Sequence, residues 1–317
     1  MMKEKEMVFS KNATAFSESP ENIAGVFFDG ETAVCMRNIQ GHPKSFSYHF
    51  EYGESEELFF SPSLLESQCA EGVTYGERFR KLILRMLEDL RKAQPKKNQL
   101  IAFLIPERGS WKHYLPQFCD YLENVFRSFD KSWSFVLVPM RSVAEQALSN
   151  STSLFISIER EWTYYCQLRR DKSVAETSAH LGVSKTANPK HPVKVRMNDY
   201  LHNSTGIWTE LNAADPAEAY DRIISSLYQN SVFDKTDSVM VSCPEVFQKA
   251  FSAIMTRTGC KVTWIEDLPL LAASAAKKRI CPQSARKMPV PDKRDDNHPK
   301  QQKKKEKKND WSDPFSR

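Results

Sequence analysis

The chain states one supersecondary pattern twice, and this duplication limits its fold more than any single motif. In residues 100–148 an apolar run LIAFLIP is closed by Pro106. A helix-like run follows, then a second apolar run, SFVLVP, and a small-residue helix, SVAEQAL. In residues 238–276 the order returns as SVMVSCP, a helix-like run, CKVTWIE and LPLLAASAA. Each copy is preceded by a strand–turn–strand signal, Gly25–Arg37 (GVFFDGETAVCMR) and Leu154–Leu168 (LFISIEREWTYYCQL). Short, wholly apolar runs closed by proline read as buried strands. Strands alternating with helices call for a largely parallel sheet covered by helices. Two copies imply an α/β protein of two similar lobes facing one cleft.

Composition permits this and removes several alternatives. The 317 residues are 40% apolar, with 19 Phe and 6 Trp, enough for sizeable cores. The opening MMKEKEM has charges but no apolar segment after them, unlike a secretory signal. Apolar runs such as Leu100–Ile105 are far too short to cross a bilayer. The expectation is a soluble, cytoplasmic protein, with a peripheral position at the inner face of the membrane as the variant reading. The cysteines are seven, scattered and without CxxC spacing, and the histidines show no metal spacing. That argues against a zinc site and a disulfide framework, and no metal is expected.

The net charge of +5 conceals an asymmetry. Residues 277–317 carry 14 Lys/Arg against 6 Asp/Glu, whereas residues 1–276 carry 31 against 34. A mildly acidic body therefore bears a basic tail, too poor in apolar residues to fold and expected to be disordered. Along the chain we read a flexible leader over 1–22, lobe I over 23–150, lobe II over 151–279 and the tail over 280–317. Within the lobes, apolar spacing predicts helices over 75–92, 111–129, 142–148, 216–228, 245–256 and 268–278. The polar stretch 184–203 reads as loop-rich.

The order and spacing of these elements resemble the actin/heat-shock-chaperone/sugar-kinase ATPase superfamily over roughly residues 23–279. The resemblance implies two actin-like (ribonuclease H-like) lobes around a central cleft. Gly25–Arg37 takes the place of the family's first phosphate hairpin, with Asp29 where a Mg-associated aspartate stands. Gly30 and Thr32 complete this candidate cofactor-binding set. Leu154–Leu168 takes the place of the second phosphate hairpin, and Ser238–Phe251 that of the adenosine-binding strand–turn–helix. Val138–Leu148 (VPMRSVAEQAL) looks like the connecting helix, and Asp267–Ala276 like the alanine-rich terminal helix.

The departures bear on chemistry. Phosphate hairpins need glycines, because their amides must approach the oxygens closely and adopt positive φ. Here Asp29 is followed by Gly30, Glu31 and Thr32, and Glu31 sets a carboxylate where phosphate would lie. The second hairpin, Ser157-Ile158-Glu159-Arg160-Glu161-Trp162, has no glycine, and the purine turn reads Ser242-Cys243-Pro244-Glu245. Three nucleotide elements fail together. The reading is an actin-like scaffold or adaptor without catalysis and without a cofactor. The resemblance implies a role in a bacterial secretion, pilus or division assembly. The alternative is a divergent ATPase or kinase that uses ATP with Mg, held by Asp29 with Glu159 or Asp267. A second alternative is association with nucleic acid through the basic tail.

Other candidates have plainer readings beside them. Asp29 before glycine is also simple turn chemistry. Glu159 and Glu161 around Arg160 are either an acid/base pair or a solvated hairpin tip, and the tip is the expectation. Cys243, at a strand end before a helix, has the place of an activated thiolate, but no histidine stands beside it and a buried structural thiol is expected. In the tail, Lys303, Lys304 and Lys305 suit an anionic surface, and Trp311 and Phe315 are aromatics isolated in a polar context. These five residues are the candidate partner-binding set. Protein partners, including membrane-embedded assembly components, are expected ahead of nucleic acid.

Overall fold

A computed structural model describes residues 8–9, 23–29, 32–39, 42–49, 66, 72–93, 99–105, 111–148, 153–159, 162–169, 173–179, 181–182, 193–199, 207–213, 216–229, 233–236, 238–243, 248, 251–252 and 259–280. The chain divides into units 1–282 and 283–317, and only the first contains described residues.

Lobe I opens with β1 (Val8–Phe9), then three antiparallel strands, β2 (Ile23–Asp29), β3 (Thr32–Ile39) and β4 (His42–His49). Helix α1 (Tyr75–Ala93), β5 (Leu100–Ile105), α2 (Trp111–Phe129), β6 (Ser134–Pro139) and α3 (Met140–Ala147) complete it. The sheet order is β1-β6-β5-β2-β3-β4, with β5 and β6 parallel to β2. Lobe II repeats this plan. Strands β7 (Ser153–Ile158), β8 (Thr163–Leu168) and β9 (Val174–Ala179) form an antiparallel meander. After β10 (Val193–Asp199) and β11 (Ile207–Ala213) come α4 (Pro216–Gln229), β12 (Ser238–Ser242), β13 (Lys261–Trp264) and α5 (Leu268–Ile280). The order is β11-β10-β9-β8-β7-β12-β13, with β12 parallel to β7 and to β13. The cores of the two sheets, β4-β3-β2-β5-β6 and β9-β8-β7-β12-β13, therefore have the same order and sense.

Sequence chemistry accounts for the elements. Thr74 opens α1 with a reciprocal cap: its Oγ1 accepts from the Glu77 N–H at 3.2 Å, and Glu77 Oε2 accepts from the Thr74 N–H at 3.1 Å. The wholly apolar strand β5 and strand β6, apolar after Ser134, are buried on both faces. One face, through Phe103, Phe135 and Leu137, packs on Phe79, Leu87, Phe118 and Phe126 of α1 and α2. The other face, through Leu100, Ala102, Leu104, Val136 and Val138, joins α3, α5 and lobe II residues Phe155, Tyr164 and Cys166 in a shared core. A third core lies within lobe II, between β7, β8, β12 and Tyr220, Ile223, Ile224 and Leu227 of α4.

Two expectations are corrected here. The leader is not loose throughout, since Val8 and Phe9 pair antiparallel with Leu137 and Val136. The edge of an apolar strand invites such cover. The loop-rich reading of 184–203 fails at β10, which pairs with β9 and over its whole length with β11. Its alternation Val193, Val195, Met197 is a strand period, hidden by polar neighbours. The helix expected over 245–256 lies largely outside the described residues, although Gln248, Phe251 and Ser252 are helical.

Candidate functional site

In each lobe a hairpin joins the first two strands of the antiparallel meander, β2–β3 and β7–β8, and these two hairpins are where the resemblance places phosphate recognition. The first closes between Asp29 and Thr32, which are register partners. The candidate residues Asp29 and Thr32 thus stand opposite each other at the end of the β2–β3 ladder. Gly30 and Glu31, which form the turn, lie outside the described residues.

The second hairpin is more informative. Ile158 pairs with Thr163, and the Glu159 N–H donates to the Trp162 carbonyl at 2.8 Å, which closes the turn. The expected solvated tip is corrected: Glu159 and Trp162 are each only 2% exposed, and Ser157 1%. The Trp162 indole and the Glu159 carboxylate, which flank the turn, are therefore inside the protein. Arg160 and Glu161 lie outside the described residues.

Below the tip, buried polar contacts fix the sheet. Thr163 Oγ1 lies 3.1 Å from the Tyr220 hydroxyl, and the Tyr164 hydroxyl donates to Glu176 Oε2 at 2.6 Å. Arg141 Nε of α3 donates to Glu145 at 2.9 Å and is within electrostatic reach of buried Glu176. The connecting helix packs on lobe II through the core that Val143 and Ala144 share with Phe155, Tyr164 and Cys166. Gln167 grips a loop from both sides: its Nε2 donates to the Asp234 carbonyl at 2.8 Å and its Oε1 accepts from the Asp234 N–H at 2.7 Å.

The remaining candidates separate. Asp267 is exposed at the start of α5, where its carbonyl accepts from the Leu270 N–H at 2.9 Å. Cys243 is half-buried at the end of β12, near the Tyr220 hydroxyl. Among the described residues no cluster of His, Cys, Asp or Glu is suited to a metal ion. Lys303, Lys304, Lys305, Trp311 and Phe315 lie outside the described residues. Sequence reasoning missed the burial of Glu159, and it also missed the role of Gly25. That glycine lies under Pro269 of α5 so closely that a Cβ would sit 1.6 Å from the Pro269 carbonyl oxygen.

No protein-family model matches the chain, and no curated protein matches it in sequence. Among solved structures it is similar to the ethanolamine utilization protein EutJ from Carboxydothermus hydrogenoformans, at 11% identity and a TM-score of 0.49, covering 80% of this chain and 88% of that one. It is also similar to an inorganic polyphosphate/ATP-glucomannokinase from an Arthrobacter strain, at 11% identity and a TM-score of 0.43, covering 82% and 98%. A third is an exopolyphosphatase from Cytophaga hutchinsonii, at 9% identity and a TM-score of 0.40, covering 74% and 71%. With one strand order used twice and helices α3 and α5 sharing the core between the lobes, the chain has the two-lobed actin-like fold.

Proposed function

We propose that this chain is a non-catalytic, actin-like scaffold that works by protein–protein interaction. The observation that carries this reading is the second hairpin, where Glu159 and Trp162 are buried at the tip. A phosphate site there requires bare backbone amides and room for oxygens. An indole occupies such room, and a carboxylate in a partly desolvated site repels phosphate. Mg-ATP, which the fold implies, does not fit these residues. The glycine-free sequence of the hairpin and Glu31 in the first turn support the same conclusion.

The proposed setting is a bacterial secretion, pilus or division assembly, with the chain on its cytoplasmic side. Among the described residues no helix is long and apolar enough to cross a membrane. The basic tail, through Lys303, Lys304, Lys305, Trp311 and Phe315, is the proposed tether to a protein partner or to an anionic membrane surface. Titration calorimetry of the full chain with ATP and Mg²⁺ tests the central claim. No heat of binding is expected up to millimolar nucleotide, a range in which binding would be worth only about 4 kcal/mol. Micromolar binding or turnover above background would overturn the scaffold reading and restore a divergent ATPase or kinase.

A further inference from the structure

We propose that the outer face of helix α1 on lobe I is a docking surface for an anionic lipid bilayer. Over Tyr75–Ala93 the helix carries six cations against three carboxylates, whereas the rest of residues 1–276 carries 25 Lys/Arg against 31 Asp/Glu. A mildly acidic body thus concentrates positive charge on one helix. All seven exposed residues of α1 are charged, and five of them, Arg80, Lys81, Arg85, Arg91 and Lys92, are cations. The face belongs neither to the hairpins nor to the tail, so the proposal stands whether or not the tail is a tether and whether or not the lobes take nucleotide.

Helical spacing sets these cations in two lines. Lys81, Arg85 and Lys92 stand at i, i+4 and i+11, which share one side of a helix, and Arg80 and Arg91, at i and i+11, share another. The first line borders β4, where the Arg85 guanidinium lies 5.9 Å from the centre of the Tyr48 ring. The second borders α2, where Arg80 Nη2 donates to Ser128 Oγ at 3.2 Å and Arg91 lies 4.6 Å from the centre of the Phe129 ring. The two rings hold their guanidinium groups in place. From Arg80 to Lys92 the lines run roughly 18 Å. Little of this charge is neutralised. Glu77 accepts from the Thr74 N–H in the helix cap, and Asp89 accepts from the Tyr48 hydroxyl at 3.0 Å. Lys92 pairs with Asp89 at 3.6 Å, whereas Lys81, Arg85 and Arg91 have no ion pair among the described residues. That leaves Glu88 to offset five exposed cations. A helix whose charges only keep it soluble alternates in sign along its face, which α1 does not.

The chemistry of the face selects its partner. Interface cores between proteins are depleted of charge, and α1 exposes nothing but charge. Unpaired bases bind by stacking on exposed rings, and the rings beside α1, Tyr48 and Phe129, lie under guanidinium groups. An anionic leaflet requires neither a ring nor a groove. It is a continuous layer of fixed negative charge, which cations spread along one surface meet at many points. Each cation close to such a layer strengthens binding about fivefold. Salt screens the attraction over roughly 10 Å.

The test uses the full chain and vesicles of phosphatidylcholine with or without phosphatidylserine. Sedimentation should show binding to the phosphatidylserine vesicles alone, lost as salt rises from about 0.05 to about 0.5 M. Labelling of lysines with acetic anhydride, read by mass spectrometry, should slow severalfold at Lys81 and Lys92 when those vesicles are present. This readout needs no variant, so it decides even where a substitution disturbs α1. The triple variant Lys81→Glu, Arg85→Glu, Lys92→Glu, with its fold checked by circular dichroism, should bind roughly a hundredfold more weakly. The triple variant Lys303→Glu, Lys304→Glu, Lys305→Glu makes the same change in net charge, and protection of Lys81 and Lys92 at saturating vesicles should survive it. Unchanged labelling of these two lysines beside phosphatidylserine vesicles would overturn the proposal. Binding lost in the tail variant but intact in the α1 variant would overturn it too, and would leave the membrane to the tail. Protection by a single-stranded oligonucleotide at a lower concentration than by vesicles would overturn it in favour of nucleic acid.

Discussion

Burial governs the chemistry of individual side chains in this protein. Desolvation pushes the Cys35 thiol up to about 12, offset only in part by nearby Arg37. Cys119 rises to about 11, again through burial first and then through Asp120 and Glu123. Cys166 is raised further by burial and Glu176, and Tyr48, Tyr121, Tyr165 and Tyr220 are raised chiefly by burial. Thiols shifted in this direction stay protonated at neutral pH and behave as small apolar residues. A consequence for stability follows. Each of these acids ionises less readily when folded than when unfolded. The unfolded chain therefore sheds protons first, from about pH 8.5 for cysteine and 10 for tyrosine. The stability they contribute is complete below those values and is lost as the pH rises through the folded values. Urea midpoints should be flat from about pH 7 to 8 and fall steadily above about pH 9. A midpoint that rises between about pH 9 and 11 would contradict this account. Residues of this kind were only half legible in the sequence. That Cys35 and Cys166 are buried follows from their strand alternation, but the burial of Glu159 and Trp162 does not, because turn composition alone cannot tell whether a tip faces solvent or protein.

At the scale of elements, the seating of α5 on β2 depends on one missing methyl group. A Cβ on Gly25 would lie 1.6 Å from the Pro269 carbonyl oxygen, and the obstacle is backbone rather than a flexible side chain. Gly25→Ala therefore forces the helix away from the sheet. It should cost about 3 kcal/mol or more, the upper end of what overpacking costs. Gly72 provides the contrast: its φ of +73° is left-handed, but nothing stands within 4 Å of its Cβ position. Gly72→Ala should cost only about 1–2 kcal/mol, from backbone strain alone. Urea unfolding of both variants checks the pair, and equal losses would mean that the α5 contact yields easily. The sequence explains why this helix was legible and its contact was not. The stripe Ala272, Ala273, Ala275, Ala276 announces a close helix crossing, and these alanines are buried between α3 and the lobe I sheet. Gly25, however, falls at the edge of a hairpin motif, where glycine reads first as turn chemistry. The strands β10 and β11 show the opposite failure, in which a clear two-residue period went unread because half of each strand is polar. Helix α2 was legible from end to end, because its aromatic and aliphatic residues keep the helical spacing over all of Trp111–Phe129.

The whole molecule is held together by an exchange of helices. Helix α3 closes lobe I in the chain but reaches lobe II, where Arg141 lies within electrostatic reach of Glu176. Helix α5 closes lobe II but covers the face of the lobe I sheet formed by Leu100, Ala102, Leu104, Val136 and Val138. Each lobe has a core of its own, and a third core, to which α3 and α5 contribute, is shared between them. This explains why the duplication was readable while its consequence was not: sequence periodicity reports the strands and helices of each copy, and only the fold shows that the last helix of one copy belongs to the core of the other. Independent lobes would unfold separately, whereas lobes that share a core unfold together. Ending the chain after Asp267 removes α5, and the damage should appear in the other lobe. Amide hydrogen exchange in this truncation should lose protection across β2, β5 and β6, while β7, β8 and α4, whose core lies within lobe II, retain more of theirs. A chain ended after Pro282 keeps α5 and is the reference, expected to exchange like the full protein. If protection were lost first in β7, β8 and β12, the terminal helix would be a lobe II element after all, and the shared core would not be what joins the lobes.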